Sequence, residues 1–117
     1  MFQGQYLFNG DVVWSPWMKR GGNNIRVTVD LIANTTGTEV QIELFDKKSE
    51  DAGDGNPVDA SNVIKTSTVG QSVGAWSGLE DLVRYKISAD KAGGSDSDYV
   101  LFRMLTPVWF ESVNAAP

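Results

Sequence analysis

The chain has 117 residues, 41% hydrophobic and 21% charged, a balance that fits one folded domain over residues 1–117 and excludes a disordered chain. It contains no cysteine and no histidine, which excludes disulfides, thiolate metal sites and the Ser-His-Asp and Cys-His catalytic arrangements. A formal charge of −5, with a pI near 4.5, lacks the basic footprint that phosphate-backbone binding needs and argues against a nucleic-acid partner.

The N-terminus, Met1-Phe2-Gln3-Gly4-Gln5-Tyr6, lacks the basic start and apolar run of a secretion signal. No apolar stretch approaches the ~18 residues of a membrane span. The missing cysteines lean the same way, towards assembly in a reducing cytoplasm. Both chain ends are expected to be held, by the sheet or by a neighbouring protein, because unheld ends fray.

In chain order, residues 2–8 and 11–14 flank Asn9-Gly10, a pair that tolerates positive φ and predicts a hairpin. Pro16 ends or edges the second strand, and residues 19–23 read as a loop. Residues 24–33 give the clearest alternation: Ile25, Val27, Val29 and Leu31 share one face, with Arg26, Thr28 and Asp30 on the other. Asn34-Thr35-Thr36-Gly37 reads as a turn, and residues 38–45 alternate again with Val40, Ile42 and Leu44 inward, predicting a second hairpin.

Residues 46–62 are polar and acidic, long for a loop in a compact domain. Residues 63–69 and 72–76 read as short strands, and Gly78-Leu79-Glu80-Asp81 as a single helical turn. Residues 82–89 alternate, 90–98 form a second acidic loop rich in Gly and Ser, and 99–106 form a strong strand stopped by Pro107. Trp109 and Phe110 precede a small polar tail. About eight strands at a spacing of roughly ten residues predict an all-β fold, a two-sheet antiparallel sandwich of jelly-roll type. An immunoglobulin-like sandwich is the alternative, without its Cys-Trp-Cys spacing.

Carboxylates are the one remaining catalytic resource. Glu39 and Glu43 lie on one strand face roughly 13 Å apart at the backbone. Glycoside hydrolysis asks for carboxyl groups about 5–9.5 Å apart around a cleft, so a solvated strand face is the plainer reading and no enzyme is expected. Asp51, Asp54, Asn56 and Asp59 offer oxygen ligands in the 51–59 loop, but not at EF-hand spacing. The 90–98 loop carries one turn resembling a calcium-binding nonapeptide, which works only as a repeat. Asp and Gly belong in turns for backbone reasons alone, so no metal or cofactor is expected.

The four tryptophans carry the most information. In Val12-Val13-Trp14 one residue must oppose its neighbours, and in Trp109-Phe110 the two aromatics face opposite ways. Partly exposed aromatics anchor partners, which makes Phe2, Trp14, Trp17, Trp109 and Phe110 candidates for a protein interface. Trp14, Trp17 and Trp76 are the candidates for stacking on sugar rings; plugging the ends of the core is the structural alternative for all of them. Arg84 and Arg103, inside apolar strands, are expected to lie outward over apolar surface, or to pair with acids across an interface. Asn34-Thr35-Thr36 fits the glycosylation pattern by coincidence.

Two functions follow. The first is a non-catalytic assembly protein, such as a small decoration or cement protein of a phage capsid, assembled in the host cytoplasm and bound to itself or to a larger protein shell. The second is a sandwich-type carbohydrate-binding module that takes a glycan on its tryptophans. Neither calls for a membrane or nucleic-acid partner.

Overall fold

The computed structural model describes residues 4–111, so the expectations for Phe2 and for the two chain ends lie outside the described residues. The chain forms β1 (Gln5–Phe8), β2 (Val12–Trp14), β3 (Met18–Lys19), β4 (Asn24–Asn34), β5 (Glu39–Lys47), β6 (Asn56–Pro57), β7 (Ile64–Thr66), β8 (Gly70–Ser77), β9 (Leu82–Asp90), β10 (Tyr99–Met104) and β11 (Val108–Phe110). No helix occurs among the described residues.

All pairings are antiparallel, in two sheets. Sheet A holds β1, β10, β11, β4 and β8; sheet B holds β2, β3, β9, β5, β6 and β7. Three strand positions are split in two. Segments β10 and β11 follow one another along β4, β2 and β3 along β9, and β6 and β7 along β5. The eleven segments therefore fill eight positions. Counted that way, the first strand pairs with the eighth, the second with the seventh, the third with the sixth and the fourth with the fifth. This is one long antiparallel ribbon rolled into a two-sheet jelly roll, as the strand spacing predicts.

The alternation sets the core. Ile25, Val27, Val29 and Leu31 of β4, with Val100 and Phe102 of β10, face Val40, Ile42 and Leu44 of β5 and Val83, Tyr85 and Ile87 of β9. β-branched residues at every second position suit a half-buried pleated surface, and here nearly all of them are fully enclosed.

Both predicted hairpins are corrected. Segments β1 and β2 lie in different sheets, and so do β4 and β5. The Asn9-Gly10 turn does form: Asp11 N–H donates to Phe8 O at 2.8 Å, and Gly10 has φ +92°. However, Asn9 N–H donates to Asp98 O beside β10 while Gly10 N–H donates to Ala89 O of β9, so the turn carries the chain from one sheet to the other. Likewise Thr35 N–H donates to Tyr99 O, and Asn34 Nδ2 donates to the carbonyls of Thr38 and Ser67. Two strands with one apolar face each can bury those faces side by side or across a core, and alternation does not distinguish the two.

The predicted helical turn at 78–81 is absent as well. Gly78 takes φ +68°, which a right-handed turn does not use, and Leu79 is buried at the end of the core. The 46–62 stretch is not a plain loop: β5 runs on to Lys47, and β6 pairs back onto it.

Candidate functional site

The first aromatic group sits on the outer face of sheet B. In β2, Val13 turns inward against the core while Val12 and Trp14 turn outward. Opposite them on β9, the outward Arg84 places its guanidinium 4.2 Å from the Trp14 ring and 4.4 Å from the Trp17 ring. Lys86 approaches Trp14 at 5.6 Å and Lys47 approaches Trp17 at 4.6 Å. Trp14 also meets Phe45 edge-on at 4.9 Å, and Asp54 pairs with Arg84 at 3.4 Å. Gly55, at φ +73°, lies against Trp17, where a Cβ would come within 2.8 Å of the ring and 2.5 Å of Asp46 O. This arrangement ties the β2–β3 link and the acidic loop to sheet B. A sugar needs an open ring face, whereas both of these rings already carry cations.

Trp76 is removed from the sugar-stacking set. It is 3% exposed, and its Nε1–H donates to Asn62 O at 3.0 Å. The small inner face of β8 makes room for it, since a Cβ on Gly74 would lie 3.1 Å from the Trp76 ring. Trp109 packs against the core, with Gly21 pressed on its ring, and so does not present an anchor. Phe110, on the opposite face of β11, is 39% exposed. Of the interface candidates, Trp14 and Phe110 reach the surface on opposite sheets, and no common site unites them.

The larger exposed apolar surface is the outer face of sheet A, of which the sequence reading found Phe110, outward on β11 beside Val108, and missed the rest. Tyr6 and Phe8 of β1 lie across from Leu101 and Tyr99 of β10, and the Tyr6 and Tyr99 rings meet edge-on at 5.7 Å. Ile32 and Leu101 both approach Gly4 on this side. Val69 leads into β8, Val73 sits opposite Thr28, and Val108 sits opposite Arg26. Tyr6, Phe8, Ile32, Val69, Val73 and Val108 are all exposed. Charge interrupts this face where Arg103 pairs with Asp30 at 3.1 Å and again at Arg26, opposite Val108. The signal was parity. Ile32 and Val73 fall on the polar-side positions of their strands, where an apolar residue has no core to enter.

Many of the acidic residues are held by local hydrogen bonds or ion pairs. Glu39 and Glu43 face outward on β5, with Lys86 4.0 Å from Glu43. Hydrogen bonds from Ser61 hold Asp59 below its ordinary pKa. Those from Ser49 do the same for Asp81, and the Ser95 N–H does so for Asp98. Among the described residues no three acidic side chains converge as a metal site would require. The Asn34 amide nitrogen already donates two hydrogen bonds.

Three recesses remain, one of about 540 Å³ lined by Lys19, Arg20, Ser49, Asp81 and Leu82. A cleft of about 500 Å³ is lined by Asp46, Asp51, Asp54 and Glu80 with Lys47 and Lys48. An apolar recess of about 380 Å³ opens between β1 and β2, over Val13, Pro16, Met18, Tyr85, Phe102 and Met104. The Tyr85 hydroxyl is buried and has no hydrogen-bond partner among the described residues, and burial pushes its pKa up to about 12.

No family model, curated protein or solved structure matches the chain.

Proposed function

We propose that this protein is a non-catalytic assembly protein that works by protein–protein contact, and specifically a small component of a virus particle that decorates a larger protein shell. The observation that carries this reading is the apolar outer face of sheet A, which leaves Tyr6, Phe8, Ile32, Val69, Val73 and Val108 in contact with solvent. Large exposed apolar patches on a folded domain mark interaction surfaces. A chain without histidine or cysteine, and with many of its carboxylates held in turns and ion pairs, supports contact over catalysis. Assembly in a host cytoplasm fits the same absence of cysteine. The jelly roll serves viral capsid and lectin domains alike, so the fold itself does not choose between a shell and a glycan. The cation-covered rings of Trp14 and Trp17 and the buried Trp76 weigh against the glycan.

The test is fractionation by size of the material in which the protein is naturally made, with the chain detected by mass spectrometry. The proposal expects it to travel with particles of megadalton mass. It also expects Tyr6→Glu combined with Phe8→Glu to release it, while a variant altered at Glu39 stays bound. A chain found only in the low-mass fraction, or tryptophan fluorescence quenched by a polysaccharide, contradicts the proposal.

A further inference from the structure

We infer that the free edge of β8 docks a second copy of this chain by antiparallel strand pairing; this names one partner for the contact reading above and rests on it. A two-sheet sandwich has four edges, and three of them here are short or broken. β1 has four residues, β2 and β3 are separated at Ser15-Pro16, and β6 and β7 are separated by residues 58–63. Such interruptions are how sheet edges avoid unwanted pairing. Segment β8 has none of them. It runs eight residues without proline, and the sequence carries no charge from Thr66 to Leu79.

The register shows which backbone groups this edge offers. Leu105 N–H donates to Thr28 O, so Thr28 and, on the near side of the bulge at Ile32, its even-numbered neighbours Arg26 and Asp30 turn their backbone groups towards β10 and β11. The odd-numbered residues of β4 therefore bond to β8, through Ser72, Gly74 and Trp76, which lie opposite Val29, Val27 and Ile25. Gln71, Val73 and Ala75 consequently turn their N–H and C=O groups away from the sheet. Asn62 Nδ2 donates to Ala75 O at 2.6 Å, which independently places that carbonyl on the outer edge and marks where the open stretch ends. The backbone groups of Gln71 and Val73 have no partner among the described residues. Beside them the side chain of Val73 is 59% exposed, and that of Val69 is 58% exposed.

Charge and symmetry select the second copy. A chain of net charge −5 repels its own copy, and the neutral edge lets two chains meet without setting like charges together. An antiparallel strand pairs with its two-fold copy donor to acceptor, so a self-complementary interface needs no other matching surface. Centred on Ser72, Gln71 of each copy exchanges N–H···O bonds with Val73 of the other, a register that uses only the open backbone groups and stops short of the Ala75 carbonyl held by Asn62. The four strand positions of sheet A then continue into those of the second copy as one sheet.

The test is sedimentation equilibrium of the full chain. The inference expects a species of twice the 12.8 kDa chain mass. It expects Val73→Pro, which removes an edge N–H and no internal ladder bond, to weaken the dimer at least tenfold. Val73→Lys keeps the backbone intact and sets like charges across the two-fold, so it should do the same with unchanged circular dichroism and melting. Tyr6→Lys, at the opposite edge of sheet A, should leave the mass unchanged. A monomeric wild type, a dimer that survives both Val73 variants, or a dimer lost only with Tyr6→Lys overturns the inference. A monomer that still travels with particles overturns the inference alone; a dimer that never joins a particle overturns the shell reading and leaves the dimer standing.

Discussion

Arg103 pairs with Asp30 at 3.1 Å, directly across β10 and β4, where charge interrupts the apolar outer face of sheet A. The Arg103 side chain is about half exposed, which places the pair in the class worth under about 1 kcal/mol to folding. Replacing both partners by leucine is therefore expected to change unfolding free energy by less than ~1 kcal/mol. The same change enlarges the apolar face and should lower solubility. Urea denaturation and a solubility limit check the two halves. A loss of several kcal/mol would make the pair a folding element instead.

Arg84 is a different case, because its guanidinium lies between two indoles and is largely shielded from water. Removing it with Arg84→Ala takes away both stacking contacts and the hold on Asp54. A cost of about 1–2 kcal/mol is expected. Lysine lacks the planar group that stacks, so Arg84→Lys should recover less than half of that loss. Denaturation followed by tryptophan fluorescence reads both effects directly, since Trp14 and Trp17 are the reporters.

The buried Tyr85 hydroxyl predicts a substitution that helps. A buried polar group without a partner costs its desolvation, so Tyr85→Phe should stabilise the fold by about 1 kcal/mol. The pH dependence has a definite sign. The folded pKa of about 12 exceeds the ordinary value near 10, so the unfolded chain loses its proton first as pH rises. The associated stability is full below about pH 10 and is lost between about pH 10 and 12, by roughly 2–3 kcal/mol. Melting curves across that range should show the loss in the wild type and not in Tyr85→Phe.

Gly74 predicts a coupled pair. A Cβ there would lie 2.7 Å from Cγ1 of Ile64, on the inner side of β8. Gly74→Ala is expected to cost about 1–3 kcal/mol by overpacking. In an Ile64→Ala background, which by itself leaves a cavity, the same change should cost little or nothing. A double-mutant cycle on unfolding free energies measures the coupling, and strict additivity would disprove it.

Much of the fold was legible in the sequence because period-two alternation survives in every long strand. Ile25 to Leu31 and Val40 to Leu44 face inward as the pattern requires. What was not legible is which strands share a sheet. The Asn9-Gly10 turn forms with the expected left-handed glycine, yet the bonds to Asp98 and Ala89 send the chain across the core. Those partners lie some eighty or more residues away, beyond any local pattern. For the candidate site, the aromatic pattern points to Trp14, Trp17, Trp109 and Phe110. Two of those are held by cations and one by the core; Phe110 does lie on the open apolar face, which is otherwise built from valines, an isoleucine and the aromatics of β1. Their meaning depends on a sheet register that no single strand reveals.

Oxidative side-chain footprinting of the protein, free and in the particle fraction, decides which sheet makes the contact, because it reads the two outer faces in one experiment. If contact runs through the outer face of sheet A, Tyr6 and Phe8 are labelled in the free chain and protected in the particle, while labelling of Trp14 stays the same. Protection of Trp14 with Tyr6 and Phe8 still labelled would place the contact on sheet B and contradict the account.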